Sequence, residues 1–114
     1  MLSRVEKFEV ALKQTECDAV LVTNLKNIYY LTGFSGTEAT VFISKKRRIF
    51  LTDSRYTLIA KGVVEGFDIV ETRDAVGEIA KIIADDKLEK IGFDDEISYA
   101  YFKMLESVFA GHEL

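Results

Sequence analysis

The segment ATVFISKKRRIFLT, residues 39–52, contains two runs of apolar residues joined by three basic residues. Residues 39–44 and 48–52 are rich in side chains that favour strands, and a connection of three residues suits a hairpin. The basic residues at the tip discourage edge pairing with other chains. The segment therefore predicts two antiparallel strands near the middle of the chain.

Helical and strand-like patterns alternate on both sides of this hairpin. Before it, apolar residues recur at helical spacing over residues 4–13, and residues 19–23 form an apolar run typical of a buried strand. A short helix is predicted between a capping residue, Asn24, and a terminating glycine, Gly33. After the hairpin, the predicted elements are a helix that carries Tyr56, Ile59, Ala60 and Val63, a strand at 67–71, a helix opened by Asp74, a strand at 90–94 and a helix capped by Ser98.

This order of elements predicts the fold class. Strands that alternate with helices form an α/β domain, and a hairpin within the series makes the sheet mixed instead of fully parallel. We therefore expect a three-layer α/β domain with a mixed, mostly five-stranded sheet and helices on both faces. A length of 114 residues leaves room for one such domain, spanning residues 1–114.

Composition and charge exclude several classes of protein. The chain is 48% hydrophobic and 30% charged, which is ordinary for a folded, water-soluble protein. Its formal net charge of −4 argues against a nucleic-acid partner, because phosphate binding calls for basic surfaces. Neither the opening residues nor any later segment has the apolar run of a signal peptide or a membrane span. We therefore expect a cytoplasmic protein with no nucleic-acid and no membrane partner.

Residue types that carry metal or nucleophilic chemistry are few. One cysteine, Cys17, and one histidine, His112, provide neither an intrachain disulfide nor a zinc cluster. The densest acidic group, Asp94, Asp95 and Glu96, is interpreted as a solvated turn, because adjacent side chains on a turn mostly point apart. Sequence reasoning thus identifies no catalytic residue and no metal ligand in this chain.

The segment Gly33–Phe34–Ser35–Gly36 is the first candidate for a functional loop. Ser35 lies between two glycines, but the segment matches neither a Walker phosphate loop nor a nucleophile elbow. It is interpreted either as a tight connecting loop or as a loop whose exposed Phe34 inserts into a partner's cleft.

The segment from Asp53 to Tyr56 is the second candidate. Asp53 is expected to cap the following helix, Arg55 to reach a carboxylate and Tyr56 to pack against neighbours. A functional role for Arg55 is equally compatible with this pattern.

Three segments in this order resemble a known family. They are NIYYLTGFSG at residues 27–36, LTDSRY at 51–56 and IGFD at 91–94. Together they resemble the amino-terminal domain of the creatinase, prolidase and aminopeptidase P family, proline-directed metallopeptidases whose catalytic domain has the pita-bread fold. The resemblance implies a mixed α/β domain of the creatinase/prolidase N-terminal type.

The resemblance also implies what lies outside this chain. In that family a catalytic pita-bread domain follows and holds two divalent metal ions, here expected to be manganese or cobalt, with two aspartates, a histidine and two glutamates. This chain lacks that ligand set, and its last predicted helix reaches Leu114 without a terminator. We therefore expect a fragment that is inactive alone and has no cofactor of its own. The parent protein would be a Xaa-Pro dipeptidase, a Xaa-Pro aminopeptidase or an inactive family member.

Partners follow from the same resemblance. Family members commonly dimerise, and the loop after the second helix can approach the active site of the neighbouring subunit. This implies a homodimer, contact with the protein's own C-terminal catalytic domain, and restriction of proline-containing peptides. Arg55 and Tyr56 become candidate contacts with substrate or with the interface. The candidate substrate-restricting loop consists of Phe34, Ser35, Gly36, Thr37 and Glu38.

Two alternatives from other classes remain open. One is a free-standing binding or assembly module that uses the sheet edge or the loop at Phe34. The other is a small α/β enzyme that uses Asp53 and Asp94. The length of the full open reading frame discriminates between these alternatives and a peptidase domain.

Overall fold

The computed structural model of the chain describes residues 4–13 and 17–93. The helix predicted after Ser98 and the acidic group at residues 94–96 lie outside these ranges. The described elements are α1 (Arg4–Lys13), β1 (Ala19–Val22), α2 (Leu25–Thr32), β2 (Thr40–Ser44), β3 (Arg48–Thr52), α3 (Thr57–Val63), β4 (Asp68–Glu71), α4 (Ala75–Asp86) and β5 (Ile91–Phe93).

The strands form one mixed sheet in the order β4-β3-β2-β1-β5. The β2–β3 hairpin is antiparallel, as predicted, and β1 also runs antiparallel to β2. The two outer pairs, β3 with β4 and β1 with β5, are parallel. The predicted mixed, five-stranded sheet is therefore confirmed among the described residues.

Each central strand sends alternate side chains into two separate cores. On one face, Leu21, Phe42 and Ile49 lie side by side on neighbouring strands and pack against α4. On the other face, Val41 and Phe50 pack against α1, α2 and α3. Because successive side chains of a strand point to opposite faces, strands that are apolar at every position require helices on both sides. The predicted three-layer arrangement is confirmed.

Helix α2 begins and ends at the capping residues that the sequence predicts, and helix α4 begins at its predicted capping residue. The side chain of Asn24 accepts hydrogen bonds from the backbone N–H groups of Lys26 and Asn27. Gly33 has φ of 80°, the left-handed conformation that glycine adopts without strain, and ends α2. The side chain of Asp74 accepts a hydrogen bond from the Gly77 N–H at 3.0 Å.

Helix α3 buries less of its surface than its apolar spacing indicates. Ala60 is fully buried, whereas Ile59 and Val63, which belong to the same predicted stripe, are about half exposed. Leu58 is 84% exposed. The predicted stripe is therefore only partly a core-facing stripe, and α3 leaves apolar side chains on the surface.

Two arginines at the hairpin tip join the sheet to helices on opposite faces. Arg47 donates two hydrogen bonds to the Asp86 carboxylate at the end of α4, at 2.7 and 2.8 Å. Arg48 donates two to the Glu9 carboxylate of α1, at 2.9 and 2.6 Å. Such bidentate pairs fix orientation as well as distance. The tip thus connects the sheet to helices on both faces, and the expected role of its basic residues in discouraging edge pairing does not apply, because β2 and β3 are inner strands of the sheet.

Asp18 ties the segment before β1 to the segment before β5. Its carboxylate accepts hydrogen bonds from the backbone N–H groups of Glu89, at 2.8 Å, and Lys90, at 3.1 Å. These two donors, that of Glu89 first, hold the pKa of the Asp18 carboxyl below its ordinary value.

We expect the stability contributed by Asp18 to be lost in acid. A carboxyl whose pKa is lower in the folded state stabilises the protein fully above its unfolded pKa of about 3.9, and the contribution disappears as the pH falls through the folded pKa. Asp18→Asn keeps an acceptor oxygen but cannot titrate, and it should cost about 1 kcal/mol at pH 7, because solvent screens this partly exposed group. Urea unfolding of both proteins from pH 7 down to strong acid measures the difference between their free energies of unfolding. A difference that stays constant over this range would contradict the lowered pKa of Asp18.

Candidate functional site

The loop between α2 and β2 begins by burying its aromatic residue. Phe34 is only 1% exposed. Its ring lies edge-on to Phe50, with centroids 5.0 Å apart, and edge-on to Tyr56, with centroids 5.6 Å apart. Of the two interpretations of this segment, the exposed Phe34 that inserts into a partner's cleft is therefore wrong, because the left-handed turn at Gly33 is followed by a side chain that enters the core shared by β3 and the helices.

Gly36 lies directly over the Phe34 ring. A Cβ atom on Gly36 would come within 2.8 Å of Phe34 Cε1, closer still to Cζ, and within 3.1 Å of Tyr56 Cδ1. Real Cβ atoms do not approach other carbons this closely, so the position requires glycine unless the ring moves. The loop thus closes tightly over its own buried aromatic residue.

The remainder of the loop is polar and attached to the rest of the domain. Thr37 Oγ1 and the Tyr56 hydroxyl share a hydrogen bond of 2.8 Å. The Glu38 carbonyl accepts a hydrogen bond of 2.5 Å from the buried hydroxyl of Thr52, the last residue of β3. Ser35, Thr37 and Glu38 are exposed. The exposed part of the loop therefore carries hydroxyl and carboxylate groups, and two of its residues are hydrogen-bonded to the rest of the domain.

The turn from Asp53 to Tyr56 connects β3 to α3. The Asp53 carboxylate accepts a hydrogen bond from the Arg55 backbone N–H at 3.0 Å, and the Asp53 carbonyl accepts one from the Tyr56 N–H at 3.1 Å. Helix α3 begins later, at Thr57, with Tyr56 at its N-cap and no capping side chain. The prediction that Asp53 caps this helix is therefore corrected: Asp53 closes the turn that precedes the helix, because three turn residues separate the two.

Arg55 and Asp53 form an ion pair at the surface. Arg55 Nη2 lies 2.6 Å from Asp53 Oδ2, and the Arg55 side chain is 66% exposed. The hydrogen bond from this guanidinium is the main reason that the pKa of the Asp53 carboxyl lies below its ordinary value. The Asp53 carboxylate of the small-enzyme alternative is thus already engaged by Arg55, and the second residue of that alternative, Asp94, lies outside the described ranges.

An open cavity of about 510 Å³ lies where β3 and β4 end. Parallel strands end at the same edge of a sheet, and this edge is a common place for ligand binding in α/β proteins. Its charged lining residues are Glu38, Asp53, Arg55, Arg73 and Asp74. The lining includes hydroxyl groups but, within the described residues, neither histidine nor cysteine. The cavity therefore has the chemistry of a polar contact surface.

The described residues do not fit the dinuclear metal site that the family resemblance implies for a catalytic domain. Over residues 4–13 and 17–93, no three or more histidine, cysteine, aspartate or glutamate side chains converge in a way that could hold a metal ion. In the same ranges no helix has the length and apolar character needed to cross a bilayer.

Comparison with known proteins assigns this mixed five-stranded fold to a recognised class of domain. Residues 4–114 match the family model of the Creatinase/Prolidase N-terminal domain. The chain belongs to this family, and the resemblance seen in the sequence is confirmed.

Three relatives illustrate the similarity. The aminopeptidase P, an Xaa-Pro aminopeptidase, from Streptococcus thermophilus is 57% identical with a TM-score of 0.94, over 97% of this chain and 87% of that chain. The Xaa-Pro dipeptidase from Bacillus anthracis is 29% identical with a TM-score of 0.86, over 96% of this chain and 32% of that chain. The uncharacterized peptidase YqhT of Bacillus subtilis (strain 168) is 30% identical over 113 residues. The match covers 97% of this chain but only 32% of the length of YqhT.

The structure brings the two candidate segments together. Phe34, Gly36 and Thr37 all contact Tyr56, and Glu38 lines the same cavity as Asp53 and Arg55. No local pattern in the sequence predicts that the loop and the turn are in contact, or that Thr52 anchors the Glu38 carbonyl. The one sequence signal that links the two segments is that both carry the family resemblance.

Proposed function

We propose that this chain is the non-catalytic N-terminal domain of a Xaa-Pro dipeptidase or Xaa-Pro aminopeptidase. The observation that carries the proposal is the family match over residues 4–114, together with 57% identity to the Streptococcus thermophilus enzyme. In this proposal a catalytic domain follows the chain in a cytoplasmic protein and holds two divalent ions, manganese or cobalt. Proline-containing peptides are its substrates.

The loop Phe34–Glu38 is proposed to restrict, through its exposed residues, which peptides enter the active site of the partner subunit. The Thr37 hydroxyl is hydrogen-bonded to Tyr56, and the backbone carbonyl of Glu38 is hydrogen-bonded to Thr52. These contacts support the role, because a polar rim held in place discriminates between ligands better than a mobile one. Arg55 lies on the same rim and keeps its guanidinium largely exposed. It is proposed to contact either the peptide or the neighbouring subunit.

Dimerisation in the longer protein is supported by apolar side chains that the domain leaves on its surface. They lie on α2 and α3, and large exposed apolar areas in soluble proteins mark contact sites. The same surface favours the second candidate function, a free-standing assembly module. The side chains concerned are Leu25, Tyr29, Tyr30, Leu58, Ile59 and Val63.

An activity assay separates the two functions. We expect the purified 114-residue chain, supplied with manganese or cobalt, to cleave neither Xaa-Pro dipeptides nor longer peptides above a metal-only blank, because its described residues form no metal-binding group. The longer protein with its catalytic domain should cleave them, and a chelator should abolish that activity. Chelator-sensitive cleavage by the short chain that survives rigorous purification would overturn the non-catalytic assignment. An open reading frame that ends at Leu114 would favour the assembly module.

A further inference from the structure

Tyr56 contacts three residues of the loop while standing outside it. Its hydroxyl lies 2.8 Å from Thr37 Oγ1, and its ring lies edge-on to Phe34 at an interplanar angle of 88°. Its Cδ1 lies 3.1 Å from the position that a Cβ on Gly36 would occupy. The Tyr56 side chain therefore lies against the buried Phe34, beside Gly36 and in contact with the exposed Thr37.

Tyr56 is itself fixed by the turn that precedes α3. The Asp53 carbonyl accepts hydrogen bonds from the Tyr56 N–H, at 3.1 Å, and from the Thr57 hydroxyl, at 3.0 Å. The Arg55 guanidinium lies over the Tyr56 ring, 5.3 Å from its centroid, on the surface side. A side chain held by its own backbone and covered on one face is a suitable anchor for a neighbouring loop.

The two ends of the loop have anchors that do not involve Tyr56. At the first end, the Phe34 N–H donates to Thr32 Oγ1 at 3.1 Å, and at the second, the Glu38 carbonyl accepts from Thr52. Between them, in the part of the chain that the structure describes, the bond to Tyr56 is the one hydrogen bond that reaches residues 35–37. The middle of the loop thus depends on a single polar contact.

We propose that Tyr56 is a positioning residue whose hydroxyl sets the place of Ser35, Gly36 and Thr37, and through them the choice of peptide. This inference rests on the proposed function of the loop in substrate restriction. Tyr56 acts through Thr37, since its hydroxyl is already engaged there and its ring is partly covered by Phe34 and Arg55. It makes no contact with substrate in this role.

The first part of the test measures order in the 114-residue chain, independently of any peptidase activity. Tyr56→Phe removes the hydroxyl and keeps the ring contact, and NMR order parameters of the amides at residues 35–37 should fall from about 0.85 to below about 0.6. Thr37→Val, which removes the other hydroxyl, should loosen the loop equally, and the double variant should loosen it no further. Tyr29→Phe, at an exposed tyrosine of α2, is the matched control and should change nothing. Unchanged order in Tyr56→Phe or in Thr37→Val overturns the inference.

The second part measures peptide choice in the longer protein that contains the catalytic domain. Tyr56→Phe should raise KM or shift the preference for peptide length by about 2- to 10-fold, the equivalent of one hydrogen bond, with kcat on the preferred peptide unchanged. Lys81→Gln, at an exposed side chain of α4 that lines no part of the cavity, should leave both parameters at their original values. A loosened loop with unchanged peptide choice would overturn the proposed restricting function and leave the anchoring by Tyr56 intact. An altered choice with an unloosened loop would overturn the positioning role instead.

Discussion

Replacing Phe34 with alanine should lower the free energy of unfolding by about 3–5 kcal/mol, the usual cost of removing a buried phenylalanine ring. The ring is 1% exposed and contacts the rings of Phe50 and Tyr56. Those two side chains belong to β3 and to the turn after it, so they cannot collapse into the cavity without moving the sheet. Urea unfolding of the 114-residue chain measures the effect directly.

Leu58→Ala is the matched control for this substitution. Leu58 is also a large apolar residue, but it is 84% exposed on α3, and its replacement should change stability by no more than about 0.5 kcal/mol. If Phe34→Ala leaves the urea midpoint unchanged while altering peptide choice in the longer protein, then Phe34 is a substrate contact and not a core residue.

Gly36→Ala should cost about 1–3 kcal/mol, even though alanine is only one methyl group larger than glycine. The new Cβ would lie 2.8 Å from Phe34 Cε1 and 3.1 Å from Tyr56 Cδ1. Both rings are packed, and overfilling such a site forces either the rings or the loop to shift. We therefore expect a lower urea midpoint together with changed NMR chemical shifts for Thr37 and Tyr56.

Gly62→Ala is the control, because Gly62 has open space where Gly36 is in close contact with two rings. Gly62 lies within α3, and a Cβ there meets no atom within 4 Å. Alanine favours the helix over glycine by up to about 1 kcal/mol, so this variant should be as stable as the original protein or more stable. Equal destabilisation by the two substitutions would show that Gly36 is not specifically limited by the Phe34 ring.

Both predictions bear on the proposed function. The exposed loop residues that are proposed to select peptides lie next to the buried Phe34 and to Gly36, which packs closely against the Phe34 ring. Substitutions at either position displace the rim as well as lowering stability. Tyr56→Phe is therefore the cleaner probe of peptide choice, because it removes one hydroxyl and leaves the packing in place.

The sequence alone predicted most of the elements and the family, because their signals are local. Asn24, Gly33 and Asp74 act on backbone groups within four residues of themselves, so their capping roles could be recognised without a structure. The apolar runs at residues 39–44 and 48–52 predicted both the hairpin and helices on both faces of the sheet. Two local predictions failed in whole or in part: the cap at Asp53, where a turn of three residues intervenes before α3, and the core-facing stripe of α3, where Ile59 and Val63 are about half exposed.

Contacts between residues far apart in the chain could not be predicted from the sequence and are seen only in the tertiary structure. Thr37 meets Tyr56 across 19 positions, and Arg47 meets Asp86 across 39. Whether Phe34 points into the core or into solvent depends on the space that Phe50 and Tyr56 leave beside it. No periodicity or capping rule contains that information, because side-chain packing depends on how the elements are arranged in three dimensions. The sequence thus determined the domain and its family, and the tertiary structure determined that Phe34 is buried and that the exposed side chains of the candidate loop are polar.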